Sequence, residues 1–195
     1  MIIGITGGTG CGKTTLLNLI GELGGVILDC DAIYHQLLQT DKGLLSAIEN
    51  RFPGTVENGV LQRKKLGAIV FADKAALNDL NRITHSAVKE AVLRQLAQKP
   101  KLAAIDAIGL FESGLNELCK LTVAVTAPEE MQVQRLMARD GISREYARSR
   151  IAAQPSASDF AQRCDYVLVN DTTQEAFRKK CLAFLQEQGI MKENP

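Results

Sequence analysis

Residues Gly7 to Thr14 read GGTGCGKT, only a few positions from the start of the chain. They fit the spacing G-x-x-x-x-G-K-[ST] through Gly7, Gly12, Lys13 and Thr14. The chemistry needs these residue types. Glycines let backbone N–H groups turn inward around an anion, and the helix that follows aims its positive end at the same point. The lysine reaches the outer phosphates and the hydroxyl ligates Mg²⁺. Such a match arises by chance in about one chain in a hundred of this length. Its context supports it. Ile2 to Thr6 is a short apolar run that predicts a buried strand, and Leu16, Leu17, Leu19, Ile20 and Leu23 recur at helical spacing. Strand, glycine loop and helix together imply phosphate binding, and hence ATP or GTP, at residues Gly10, Cys11, Gly12, Lys13, Thr14 and Thr15.

The rest of the chain alternates in the same manner. Val26 to Asp29 predicts a second buried strand. Residues 31–100 read as mainly helical, with Pro53 and Gly54 as a break. The helical pattern of "KAALNDLNRITHSAVKEAVLRQLAQ" is long enough to predict a bend or break near Thr84 to Ser86. "LAAIDAIGLF", "LTVAV" and "DYVLVN" predict three more strands. Helices are expected after Pro128, after Ser143 as N-cap, and over "TQEAFRKKCLAFLQEQG", with the last few residues frayed. Strands alternating with helices predict an α/β fold with a parallel sheet.

Composition narrows the function. The chain has 195 residues, 46% hydrophobic, and a formal net charge of +1. That balance argues against a nucleic-acid or membrane-surface partner. No run approaches the roughly 18 apolar residues of a membrane span. Five scattered cysteines without a C-x-x-C pair predict reduced thiols and a cytoplasmic location.

Several acids and arginines could act on the bound phosphate. Asp29 and Asp31 follow the second strand, and strand carboxyl ends face the ligand crevice of an open parallel sheet. Either acid could orient a hydroxyl, accept its proton or hold metal-bound water. Asp31 could instead cap the next helix. Asp106 ends the third strand, where an acid commonly holds Mg²⁺ directly or through water. Asp106 to Gly109 also matches the D-x-x-G of GTPase switches, but the N-K-x-D guanine reader is missing, since Val169 to Asp171 lacks the lysine. Arg135 and Arg139 are four residues apart, and Arg144, Arg148 and Arg150 follow. Together they suggest a phosphate clamp, against the plainer reading of a solvated face paired with Asp140 and Glu145. Cys11 lies inside the loop, where a helix N-terminus favours a thiolate, so its alkylation is expected to weaken nucleotide binding.

Over nearly its whole length the chain resembles the dephospho-CoA kinases. The likeness rests on an ordered set: "GITGGTGCGKTT", "LDCDAIYHQLL", "LQRKKLGAIVF", "LNRITHSAV", "LFE", "VTAPEEMQVQRLMARDGISREYARSRIAAQ" and "CDYVLVND". It departs at His85-Ser86, where the family often has His-Pro, and at Ile108-Gly109-Leu110, where Pro-Leu-Leu is usual. The resemblance implies a three-layer P-loop nucleotide-kinase fold over residues 1–195, with a five-stranded parallel sheet of order 2-3-1-4-5. It implies a helical coenzyme A-binding insert at 31–100 and a small lid at 139–153. ATP would give its γ-phosphate to the ribose 3′-hydroxyl of dephospho-CoA, with Mg²⁺ at Thr14 and Asp106. By position, Asp31 becomes the general base or hydroxyl orienter, with Asp29 beside it and Lys13 and Arg139 as further catalytic groups. Arg139 becomes the leading lid contact to ATP, supported by Arg135, and His85 a substrate contact. A monomer is expected. Another nucleoside or nucleotide kinase, or a non-catalytic P-loop switch, stands as the alternative.

Overall fold

The computed structural model describes residues 1–191. The expected fraying of the last few residues falls on positions 192–195, outside the described residues. The elements begin β1 (Ile2–Thr6), α1 (Lys13–Glu22), β2 (Val26–Asp29), α2 (Cys30–Thr40) and α3 (Lys42–Arg51). They continue β3 (Val56–Glu57), β4 (Val60–Leu61), α4 (Arg63–Val70), α5 (Lys74–Leu96) and β5 (Ala103–Asp106). After a 3-10 turn at Leu115–Leu118 come β6 (Leu121–Thr126), α6 (Glu129–Asp140), α7 (Arg144–Ala152), α8 (Ala157–Arg163), β7 (Tyr166–Val169) and α9 (Gln174–Glu187). The main sheet has the order β2-β5-β1-β6-β7, which is 2-3-1-4-5 when only its own strands are counted. β1 runs parallel to both neighbours, β5 and β6, and β6 runs parallel to β7.

The chain forms two compact units. The first holds Met1–Ile27, Pro100–Leu110 and the chain from Leu115 onward. Its core follows from strand and helix periods. Ile3 and Ile5 of β1 and Val123 and Val125 of β6 are each two residues apart, so each pair shares a face. Leu16 and Ile20 of α1 and Phe177, Cys181 and Leu185 of α9 join them, all of them fully buried. The near-continuous apolar runs of β1 and β6 are what a strand covered on both faces requires.

The second unit holds Leu28–Lys99 and Phe111–Gly114. There α2, α3 and α4 each pack on α5. Ile48, Phe52 and Val92 are among its buried residues. Lys89 Nζ donates to the Gly114 carbonyl at 3.0 Å, tying the short returning segment to α5.

Three local expectations are corrected. No break occurs near Thr84, and α5 runs unbroken for 23 residues. It contains no Gly or Pro, the usual causes of a kink. The Thr84 hydroxyl donates back to Leu80 and Asn81 carbonyls at 3.0 and 3.2 Å, so it is satisfied inside the helix. The segment "LQRKKLGAIVF" is not helical throughout, because Leu61 pairs with Val56 in a small antiparallel hairpin. Asn58 and Gly59 turn it with φ of 51° and 75°, the Asn-Gly signal of a tight hairpin. α8 was not anticipated, although Ser156 and Asp159 form a full capping box before it.

Phe177→Ala should cost about 3–5 kcal/mol of stability, because it empties a fully buried aromatic site between α9 and the sheet. Denaturant unfolding followed by circular dichroism measures this. A loss under about 1 kcal/mol would mean that the site collapses around the cavity.

Candidate active site

The loop leaves the carboxyl end of β1, the central strand. Gly7 has φ of 137°, and a Cβ there would stand 2.1 Å from the Val125 carbonyl oxygen of β6. Only glycine lets the chain turn this close to its neighbour. Lys13 begins α1 and folds back over the loop, donating from Nζ to the Gly7 carbonyl at 3.0 Å. The same ammonium lies 3.9 Å from Asp106 Oδ1, and both side chains are largely buried. Sheet register brings Asp106 there, since it pairs with Ile5 one residue before the end of β1. The first turn of α1 has no side-chain cap, and its N-cap is Gly12 in the left-handed region. Its leading N–H groups and the Lys13 ammonium therefore supply a concentrated positive end, while Thr14 stands exposed in that same turn.

The other side of the loop is held by residues that sequence reasoning gave other roles or passed over. Arg135 Nη1 donates to the Gly10 and Cys11 carbonyls at 3.2 and 3.4 Å. Its Nη2 donates to Asn170 Oδ1 at 3.1 Å, and Asn170 Nδ2 donates to the Cys11 carbonyl at 2.9 Å. Gln154, just past α7, accepts from the Thr9 N–H at 2.7 Å. A cavity of about 340 Å³ beside Gly8 is lined by Gln132, Gln154, Ser156 and Phe160, among others. In the sequence Asn170 only ends the apolar run DYVLVN and lies in the CDYVLVND segment and in a guanine-reader pattern without its lysine. No local pattern marks it or Gln154, because both act across more than 140 residues of chain.

The arginines divide. Arg135 is partly buried against the loop, whereas Arg139 is exposed and makes a bidentate pair with Asp140 at 2.6 and 3.0 Å. Arg150 reaches the same carboxylate at 2.6 Å. The two guanidinium groups, Arg139 first, hold the Asp140 carboxyl down to about 2. Arg144 bonds Glu130, and Arg148 lies 3.6 to 3.8 Å from Glu130 and Glu129. Four of the five arginines thus rest on acids of their own segment. These pairs are exposed and screened by solvent, so each adds little to stability.

Asp29 is the N-cap of α2, accepting from the Ala32 N–H at 2.9 Å. This corrects the cap reading of Asp31, which instead sits exposed in the first turn with its carboxylate outside the capping role. His85 is half-buried in mid-α5.

The expected reactivity of Cys11 is also corrected. Its side chain is 2% exposed and belongs to the apolar core. Burial pushes the thiol above its ordinary value, outweighing the pull of Lys13 and Arg135.

A glycine loop closing the central strand, a helix starting at its lysine and an acid closing the next strand define a P-loop kinase fold. A model of the dephospho-CoA kinase family matches residues 1–176. The chain is 35% identical over 193 residues to the dephospho-CoA kinase of Lactobacillus johnsonii, covering 96% of this chain and 98% of that one. A crystal structure from Thermus thermophilus matches with TM-score 0.83 at 31% identity, covering 96% of this chain and 97% of that one. The dephospho-CoA kinase from Campylobacter jejuni matches with TM-score 0.68 at 28% identity, covering 97% and 98%. The chain belongs to the dephospho-CoA kinase family, and its class is that of kinases that take ATP as a substrate.

Because the Cys11 thiol is buried and raised, iodoacetamide at neutral pH should modify it far more slowly than free cysteine. The rate should climb only as pH passes the ordinary thiol value. Peptide mapping by mass spectrometry measures this, and rapid labelling of Cys11 at neutral pH would contradict it.

Proposed function

We propose that this chain transfers the γ-phosphate of ATP to the ribose 3′-hydroxyl of dephospho-CoA, giving coenzyme A in the last step of its synthesis. The observation that carries the reading is the placement of Lys13, 3.0 Å from the Gly7 carbonyl and 3.9 Å from Asp106, at the uncapped start of α1 in a chain of this family. Gly10 to Thr15 hold the donor's phosphates. Lys13 stabilises the charge that spreads over the transferring phosphoryl group. Arg139 joins it when the 139–153 segment closes as a lid, trading Asp140 for phosphate. Closure excludes water and limits wasteful hydrolysis. Arg135 serves the nucleotide through the loop that it holds.

Asp31 orients the acceptor hydroxyl and takes its proton. Both acids are exposed, but the Asp29 carboxylate is engaged in capping α2, which favours Asp31 for this role. Asp29 supports it by fixing the start of the helix that carries Asp31. The helices of residues 31–100 form the coenzyme A-binding insert, with His85 a substrate contact.

Thr14 and Asp106 offer a hydroxyl and a carboxylate, hard oxygen donors that suit magnesium. Among the described residues no group of three or more His, Cys, Asp or Glu could hold a metal ion by itself. That donor set fits a cation bound mainly through the nucleotide's phosphates, which neutralises their charge when present. The protein acts as a cytoplasmic monomer without a nucleic-acid partner; its five free cysteines support the compartment and its net charge of +1 the lack of a nucleic-acid partner. No helix among the described residues is long and apolar enough to cross a membrane.

A coupled assay with Mg-ATP should show turnover with dephospho-CoA and little with nucleoside monophosphates. Slow hydrolysis with every acceptor would sink the reading. Asp31→Asn should cut kcat by roughly 10²–10⁴ while ATP affinity stays within about twofold. A large loss of ATP affinity would assign Asp31 to magnesium instead. Lys13→Ala should lower turnover by a similar order.

A further inference from the structure

The glycines that let the phosphate loop turn also let its peptides flip. Cys11 lies between Gly10 and Gly12, both at positive φ, of 76° and 92°. Glycine populates such conformations at little steric cost, so rotation of the two peptide planes here meets little resistance from the loop itself. A flipped plane would present a carbonyl oxygen, rather than an N–H, to an anionic phosphate.

The structure holds both planes in one sense. In a trans peptide the C=O and the N–H point in opposite directions. The Cys11 carbonyl accepts from Asn170 Nδ2 at 2.9 Å and from Arg135 at 3.4 Å. The N–H of that same peptide belongs to Gly12, so it points away from Asn170. The Gly10 carbonyl accepts from Arg135 at 3.2 Å, and the N–H of its peptide, from Cys11, donates back to Gly8 at 3.3 Å. Two successive carbonyls are thus turned to one side by one guanidinium and one amide.

The amide is itself immobilised. Asn170 is 4% exposed and follows directly after β7. Its backbone N–H donates to the Thr126 carbonyl at 2.7 Å, anchoring it to the end of β6. The orientation of its side-chain amide follows from its partners, since a carbonyl demands the NH₂ and a guanidinium demands the oxygen. Gly12 also makes room for it, because a Cβ there would stand 2.3 Å from Asn170 Nδ2.

We propose that Asn170 and Arg135 are positioning residues that lock the Gly10 and Cys11 carbonyls outward, so that the Gly12 N–H stays aimed into the cradle for the donor nucleotide's phosphates. The proposal rests on the reading of the loop as the ATP site. It identifies the reason that a buried asparagine, far away in sequence, belongs to the phosphate-binding apparatus without touching phosphate.

Asn170→Asp is the sharpest test. The side chain keeps its shape and its bond to Arg135, but a carboxylate oxygen now faces the Cys11 carbonyl and repels it. Direct titration with Mg-ATP should show affinity about tenfold to a hundredfold weaker than wild type. KM for dephospho-CoA should stay within about twofold, and the melting temperature within a few degrees. Asn170→Ala, which removes both bonds without adding repulsion, should fall between wild type and Asn170→Asp. A merely structural asparagine would instead lower the melting temperature and raise both KM values together. ATP affinity unchanged in Asn170→Asp would overturn the proposal. If Asn170→Asp does not fold, Asn170→Ala decides, and wild-type ATP affinity there overturns it. A wild-type protein that binds no ATP overturns the ATP-site reading and this proposal with it, whereas a wild type that binds ATP but ignores dephospho-CoA overturns only the choice of acceptor.

Discussion

A carbonyl oxygen of Val125 stands where a side chain at Gly7 would have to go. The phosphate loop can exist only because the chain presses its bare backbone against the neighbouring strand as it leaves β1. Everything that the site does follows from that close approach. It places α1 directly beyond the loop, with Lys13 reaching back over Gly7 and Asp106 alongside. It also leaves the outer carbonyls within reach of α6 and of the residue after β7. A loop of glycines has little stiffness of its own, so its shape is borrowed from three elements around it. The positive end of α1 and the Lys13 ammonium then act from fixed positions, which is the condition for electrostatic stabilisation of phosphoryl transfer.

The arginine-rich segment is built on the opposite plan. Arg139 and Arg150 share Asp140, while Arg144 and Arg148 rest on the acids at the start of α6. Each charge has a partner, but an exposed one, and solvent screens such pairs. A nucleotide phosphate offers a second, more highly charged partner of matching geometry. Side-chain hydrogen bonds hold the loop carbonyls, whereas the arginines of residues 139–150 meet only solvent-screened acids.

The legibility of these features in the sequence tracks their range along the chain. The loop, β1, α1, the sheet strands and the Ser143 cap are local signals of composition and period, and the folded chain carries them where the sequence predicts. The β3–β4 hairpin and α8 also carry local signals, Asn58-Gly59 within the mainly helical 31–100 stretch and Ser156-x-x-Asp159 between α7 and β7. The break expected in α5 did not arise, because length alone does not interrupt a helix that lacks Gly and Pro. Asp29 rather than Asp31 caps α2 because the helix starts two residues earlier than its apolar pattern suggests.

By itself, the sequence determined the strand, glycine loop and helix that begin the chain, with Gly7, Gly12, Lys13 and Thr14 at the spacing of a phosphate loop, and that a parallel sheet carries them. These depend on residue type at short spacing, where backbone geometry leaves few options. Only the tertiary structure decided which polar groups face which. It buried Cys11 and raised its thiol, although local electrostatics favour the thiolate. It turned Arg135 onto loop carbonyls and left Arg139 on Asp140, although the two lie one turn apart on α6. It also brought Asn170 against Cys11 across 159 positions. Burial and hydrogen-bond partners of this kind are set by the meeting of distant segments, and no short stretch of sequence contains them.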